Sequence, residues 1–421
     1  MKNRLATLCL LLACAGTTFA QKTTPAITAA DLRARLNILA SDSLAGRRTG
    51  EPGCDKAARY IAGEFKRFGL EVLDPTQTYL QEYEFSEHQF DSTKTTPTKA
   101  ANVVGFLKGS DKNLSREVVI IGAHYDHLGM GGHNALDTVK SFHYGADDNA
   151  SGTAGMLELA EYFSKHRKEL KRSVIFIGFS GEEEGLFGSA NYVKHPLYSL
   201  DQTQAMINMD MIGRLKDSVL IVEGMGTSPE WKKIVDPSLT KKLPIAFHLK
   251  PDGEGPSDHA SFYRKNIPVL FFFTGLHKDY HKASDTRDKI NYNGEEQVLS
   301  IIKKIVVKTA NLATRLPYTI VPIDTSKKTT TFHAYVGGVP DYGYDGEGLK
   351  ISDITPGSPA AAAGLKAEDI VIQFGDMQIK NIYDYTKALS KHNAGETVLF
   401  TVKRGRDTVA LNVTLGNRPA H

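Results

Sequence analysis

Residues 118–129 read VVIIGAHYDHLG. The run Val118 to Ala123 is apolar on both of its alternating faces, which suits a strand buried on both sides in a helix-covered parallel sheet. The run stops at His124, and Asp126 follows two residues later. In extended chain those two side chains point the same way. An imidazole beside a carboxylate at that spacing suits a metal ligand and the group that orients it.

The same pattern recurs outward along the chain. Val174–Phe179, Ala205–Met211 and Val269–Phe273 are further short apolar runs. Between and around them, 31–39, 55–68, 151–164 and 295–316 carry helical apolar spacing. This alternation predicts an α/β fold: a three-layer α/β/α domain over residues 27–316, with a mainly parallel mixed sheet and helices on both faces. The polar stretch 86–101 reads as a surface excursion or an edge hairpin. A chain of 421 residues with 41% hydrophobic content is too long and too apolar for disorder, and long enough for a second domain.

Four more acidic or histidine-bearing clusters sit where strands should end, and in an open α/β sheet the carboxyl ends of the strands line the ligand crevice. GADDNASG (145–152) packs Asp147 and Asp148 between glycines, a concentration of charge that is costly without a cation. FSGEEEGLFGS (179–189) offers Glu182, Glu183 and Glu184, enough for one ligand and one proton-transfer group. NMDMIGR (208–214) sets Asp210 between two methionines in what reads as a strand. KDYHKASDT (278–286) holds His281 and Asp285 after the run ending at Phe273. Histidines with several carboxylates and no cysteine match zinc held by nitrogen and oxygen ligands. The number of acids points to two ions, since one ion with three protein ligands leaves several acids without partners.

With these five clusters in this order, the first domain resembles the co-catalytic dizinc aminopeptidase family over roughly residues 30–315. Its opening, LASDSLAGRRTGEPGCDKAARYIAGEFKRFGL (39–70), resembles that family's N-terminal region too. The resemblance implies two Zn2+ ions, with His124 and Asp210 on one, Glu183 and His281 on the other, and Asp148 bridging both. Spacing alone does not choose Asp148 over Asp147. It further implies Glu182 as general base, Asp126 orienting His124, Glu184 as structural, Tyr280 as an oxyanion donor, and a cis peptide after the bridging Asp. Asp258 and His259, in SDHASF, match a family motif near the site without a firm role. The expected reaction is hydrolysis of the N-terminal peptide bond of peptides. The competing readings are glutaminyl cyclisation with one zinc, a dipeptidase or carboxypeptidase of the same superfamily, and a non-catalytic scaffold that presents a peptide-binding module.

That module follows a polar connection at 317–331, which contains TSKKTTT. Residues 332–418 combine short strands, a small-residue helix at 360–363 and a later helix at 383–390. The tract PGSPAAAAGLKAEDIVIQFGD (356–376) resembles the PDZ domains of bacterial proteases. The resemblance implies an extended C-terminal peptide as ligand, added as a strand with its carboxylate on backbone N–H groups. The binding loop would be Tyr335, Val336, Gly337 and Gly338, ahead of a strand starting at Gly348. Gly338 departs from the apolar residue such modules often carry.

Met1 to Ala20 has a basic start at Lys2 and Arg4, an apolar core and small residues before Gln21, as a signal peptide does. The apolar run is shorter than the ~20 residues of a membrane span. Export to a periplasmic or extracellular compartment follows, with lipid anchoring at Cys14 as the alternative. Without that segment, Cys54 is the remaining cysteine, so no internal disulfide forms. The near balance of 51 basic and 48 acidic side chains gives no electrostatic case for nucleic acid.

Overall fold

The computed structural model describes residues 26–85, 97–131, 134–215, 218–238, 245–321, 334–340, 346–354, 357–380 and 382–416. The expected signal peptide with Cys14 and the TSKKTTT connection lie outside the described residues.

In chain order the first unit runs α1 (Ala29–Leu39), α2 (Pro52–Phe68), β1 (Leu80–Phe85), β2 (Thr98–Leu107), β3 (Val118–His124), α3 (Gly152–Lys165), β4 (Ser173–Phe179), α4 (Phe187–Lys194), β5 (Thr203–Met209), β6 (Val219–Glu223), α5 (Trp231–Val235), β7 (Ala246–Leu249), α6 (His259–Tyr263), β8 (Val269–Phe273) and α7 (Tyr292–Asn311). Its eight strands lie in the order β1-β2-β4-β3-β5-β8-β6-β7. The centre is parallel: β3 pairs with β4 and β5, and β5 with β8. The β1–β2, β2–β4 and β6–β8 pairs are antiparallel. The sheet is therefore mixed, with the antiparallel β1–β2 pair at one edge; β2 starts inside the polar 86–101 stretch at Thr98, and residues 86–96, on which the reading of that stretch mostly falls, lie outside the described residues.

Strand parity sorts the core into two layers. Val119 and Ile121 of β3 face the layer holding α1, α2, α3, α5 and α7. Val118 and Ile120 face the opposite layer, with Tyr192 of α4 and Phe262 of α6. Ile121 is fully buried between these layers. Ile121→Ala is expected to destabilise the unit by about 2–5 kcal/mol, the range for emptying such a site. The readout is a lower urea midpoint at unchanged slope; an unmoved midpoint would contradict the packing. No helix among the described residues is long and apolar enough to cross a membrane.

Among the element boundaries that differ from the sequence reading, those of α7 and β5 shift at both ends. Helix α7 spans 292–311 rather than 295–316. It starts early because the Asn291 side chain caps Gly294 N at 3.0 Å. Beyond its end, Arg315 donates to Thr203 O (2.9 Å) and Leu316 N to the Gln204 side chain (3.3 Å), which draws the chain onto the start of β5. Strand β5 ends at Met209, so Asp210 lies just past the strand rather than inside it. Cys54, on α2, is buried and free, and burial pushes its thiol well up.

Because β3, β4, β5 and β8 run the same way, their carboxyl ends fall along one side of the sheet. His124 is level with Phe179, and Met209 with Phe272. The loops that follow these strands carry the acidic and histidine clusters.

The second unit contains β9 (Gly338–Pro340), β10 (Leu349–Ile354), α8 (Pro359–Ala362), β11 (Ile370–Phe374), β12 (Met377–Gln378), α9 (Ile382–Leu389), β13 (Thr397–Arg404) and β14 (Asp407–Thr414). Its sheet runs β14-β13-β11-β10-β9, with β12 on β11. Its own core includes Ile351, Val371, Phe374 and Phe400. The expected loop leads directly into β9 and not only towards the strand near Gly348: Gly338 already pairs with Ile354. Tyr335 N is hydrogen-bonded to Gly416 O at 2.8 Å, so its amide is committed inside the unit. Val336 is buried and Gly337 has φ +84°.

Candidate metal centre

The ends of the parallel strands bring the sequence-selected side chains together. His124 Nε2 lies 3.4 Å from Asp148 Oδ1, 3.4 Å from Asp210 Oδ1 and 3.9 Å from Glu182 Oε2. His281 Nε2 lies 3.2 Å from Asp148 Oδ2 and 3.1 Å from Glu183 Oε2. The two oxygens of Asp148 thus face different histidines. Asp147 faces elsewhere: its carboxylate accepts from Gly213 N (2.7 Å), Ser151 Oγ (3.0 Å) and His277 Nε2 (3.1 Å). That separates the two acids which spacing alone could not. The peptide between Asp148 and Asn149 is cis.

Outer partners fix these groups. Asp285 accepts from the backbone N–H of both Asp147 (2.8 Å) and Asp148 (3.1 Å). His124 Nδ1 lies 3.3 Å from Asp126 O and 3.5 Å from Asp126 Oδ1. His281 Nδ1 donates to Asn134 O at 2.8 Å, which leaves Nε2 pointing at the carboxylates. Glu184 pairs with Arg48 at 3.2 Å. Tyr280 stacks on His281 with ring centroids 3.9 Å apart.

Sequence reasoning missed His127. Its Nδ1 donates to Glu183 Oε1 at 2.7 Å and lies 3.9 Å from Asp148 Oδ2. Alternation along an extended chain had selected positions 124 and 126, but β3 ends at His124 and parity stops applying there. The signal was the second histidine of HYDH itself.

The donor set fits divalent ions. His124, Glu182 and Asp210 offer atoms within 4.8 Å of one another, and so do His127, Asp148 and Glu183. Among the described residues, His124 Nε2 and Asp210 Oδ1 are buried without a hydrogen-bond partner. Buried polar atoms without partners are costly, and imidazole with carboxylate is the ligand chemistry of zinc. Against their burial, Asp210 and Glu182 raise His124, and Glu183 and Asp148 raise His281, well above the usual imidazole range. A divalent ion at either position would take the place of the imidazole proton. Burial drives Asp148 up, but the adjacent imidazoles of His124 and His281 hold it well below the carboxylate range. Glu182 goes the other way: burial, with Asp210, Glu183 and Asp258 nearby, pushes it well up. Burial also lifts Asp258 to about 7 and lowers His259 to about 3, with His259 stacked on Phe271 at 4.5 Å.

Comparison with known proteins gives two domain matches: peptidase family M28 over residues 102–306 and a PDZ domain over residues 323–415. A probable leucine aminopeptidase of Trichophyton verrucosum is 29% identical over 210 residues, covering 47% of this chain and 53% of that protein. The chain thus spans about half the length of the curated relatives it matches. BSAP, a zinc aminopeptidase from Bacillus subtilis, superposes with a TM-score of 0.56 at 17% identity, covering 70% of this chain and 98% of that one. A Bacteroides thetaiotaomicron glutaminyl cyclase gives a TM-score of 0.55 at 18% identity, covering 68% and 99%. The fold is therefore shared by an aminopeptidase and a cyclase, and the side chains must decide between them.

Proposed function

We propose, from the peptidase family M28 domain and the PDZ domain that this chain carries, that it is an exported metallo-aminopeptidase that removes the first residue of peptides. The observation that carries this reading is Asp148, whose two oxygens face two separate histidine–carboxylate sets. A single ion would leave one set without a cation. In this reading His124 and Asp210 hold one Zn2+, His281 and Glu183 the other, and Asp148 both, with His127 bracing Glu183.

When bound, the two ions would acidify a water and polarise the scissile carbonyl. Glu182 takes the water's proton and returns one to the leaving amine. Its carboxyl lies 3.9 Å from His124 Nε2, at the edge of the proposed centre. Asp126 holds the His124 ring in place. The Tyr280 hydroxyl is the candidate donor to the developing oxyanion. The surrounding carboxylates favour a substrate that brings a free α-ammonium, which confines cleavage to the first residue. In the PDZ domain, edge strand β9 is the proposed seat of an extended C-terminal peptide, with N–H groups of the Val336–Gly338 segment at its carboxylate.

The test is a panel of aminoacyl-nitroanilides set against their N-acetylated forms, with zinc measured per chain. Near two zincs and cleavage confined to free-amine substrates are expected. Cleavage of the acetylated series would argue for a different peptidase. About one zinc with glutaminyl cyclisation and no cleavage would replace the reading.

A further inference from the structure

The segment Gly46–Thr49 lies outside the stretch matched to the peptidase family, yet it touches three of the loops that carry the centre. Arg47 is completely buried and has φ +51°. Its guanidinium donates to four backbone carbonyls: Tyr125 (2.7 Å), Leu39 (2.6 Å), Tyr144 (2.7 Å) and Gly145 (3.0 Å). Tyr125 lies between His124 and Asp126, and Gly145 opens the turn that bears Asp148. His127 N donates to Arg47 O at 3.2 Å, and Gly129 N to Gly46 O at 2.9 Å. Gly46 has φ +72°, and a Cβ there would sit 2.5 Å from Gly129 O, so the approach of these backbones demands glycine.

Thr49 is the node. Its hydroxyl donates to Asp126 Oδ2 at 2.9 Å and accepts from Gly181 N at 2.9 Å, with the residue only 3% exposed. Because an amide N–H can only donate, the single hydroxyl proton is committed to Asp126. The same Asp126 carboxylate lies 3.3 Å from Glu182 N and 3.4 Å from Glu183 N. One hydroxyl therefore joins the carboxylate behind His124 to the turn that presents Glu182 and Glu183.

We propose that Thr49 is a positioning residue of this centre, setting Asp126 and the 181–183 turn relative to each other. Its rate readout rests on the aminopeptidase reading; its zinc readout does not. Serine keeps both hydrogen bonds, whereas valine keeps the volume and loses both. The experiment compares the full chain with Thr49→Val and Thr49→Ser, measuring zinc retained against graded chelator, kcat and KM on the best nitroanilide, and thermal unfolding. For Thr49→Val we expect half-loss of zinc at a 10–100-fold lower chelator level and kcat down by about 10–100-fold, the range for losing an outer-shell partner. KM should stay within about threefold, and Thr49→Ser should stay within about threefold of the parent throughout. Thr49→Ala, with no added bulk, supplies the same readouts if the valine variant fails to fold. Zinc retention and kcat at parent level in the hydroxyl-free variants would overturn the proposal. So would equal losses in the serine and valine variants, which would mark the site as packing alone. A parent without aminopeptidase activity would refute the reaction assigned above, and zinc retention across the variants would still decide the role of Thr49.

Discussion

Glu182→Gln is expected to lower kcat by roughly 10²–10⁴-fold, the usual contribution of a positioned general base, with two zincs retained per chain. The position of Glu182 admits two roles. It stands beside Asp210 and Glu183 with its side chain about 10% exposed, and its enclosure together with those acids pushes its carboxyl well up. It also lies within ligand distance of His124 and Asp210, so the geometry alone would admit it as a metal ligand. Glutamine keeps the shape and one oxygen but cannot take a proton. If Glu182 is the base, activity falls and zinc content holds. If it is a ligand, zinc content falls with activity. A variant with full activity would remove Glu182 from the mechanism altogether. Metal analysis and steady-state kinetics on the same preparation separate the three results.

How far the sequence carried the site depended on whether regular secondary structure set the geometry. The strands were legible because Val118–Ala123, Val174–Phe179 and Val269–Phe273 are apolar on both faces, and only a helix-covered sheet buries such runs. Parallel pairing then placed His124, Asp210 and the clusters beginning at Glu182 and His281 along one side of the sheet. Beyond the strand ends the chain leaves any fixed period. His127 was passed over because parity has no meaning after residue 124, and spacing leaves Asp147 and Asp148 equivalent, so only the family resemblance singled out Asp148, whose two oxygens face His124 and His281. Arg47 and Thr49 were invisible for a different reason. Apart from Leu39 O, their side-chain partners are backbone groups and a carboxylate some 75 or more residues away, including Tyr125, Asp126 and Gly181, and no local pattern encodes contacts of that kind. Asn291 as a helix cap was readable in principle, but the apolar spacing that marks α7 begins only after it.

Asp148 should be the most damaging single position, because both proposed ions share it. Asp148→Ala is expected to leave less than one zinc per chain and to cost kcat more than the roughly 100-fold typical of an outer-shell partner. Asp210→Asn touches only the His124 side and should leave about one. Stability should follow the metal. A ligand that binds only the folded chain adds about 2.7 kcal/mol when present at 100 times its Kd, so the parent should lose several degrees of Tm in chelator. Asp148→Ala should unfold at nearly the same temperature with or without chelator. The alanine also removes a carboxylate that pairs with His124 and His281 in the metal-free chain, so its chelator-treated Tm should fall somewhat below that of the treated parent. The difference between zinc-loaded and chelated Tm within each variant cancels that second effect and isolates the metal contribution. Two retained zincs and an undiminished chelator shift in Asp148→Ala would show that the ions do not share this carboxylate. One retained zinc would show that Asp148 serves one side only, leaving the second histidine–carboxylate set to hold its ion unaided.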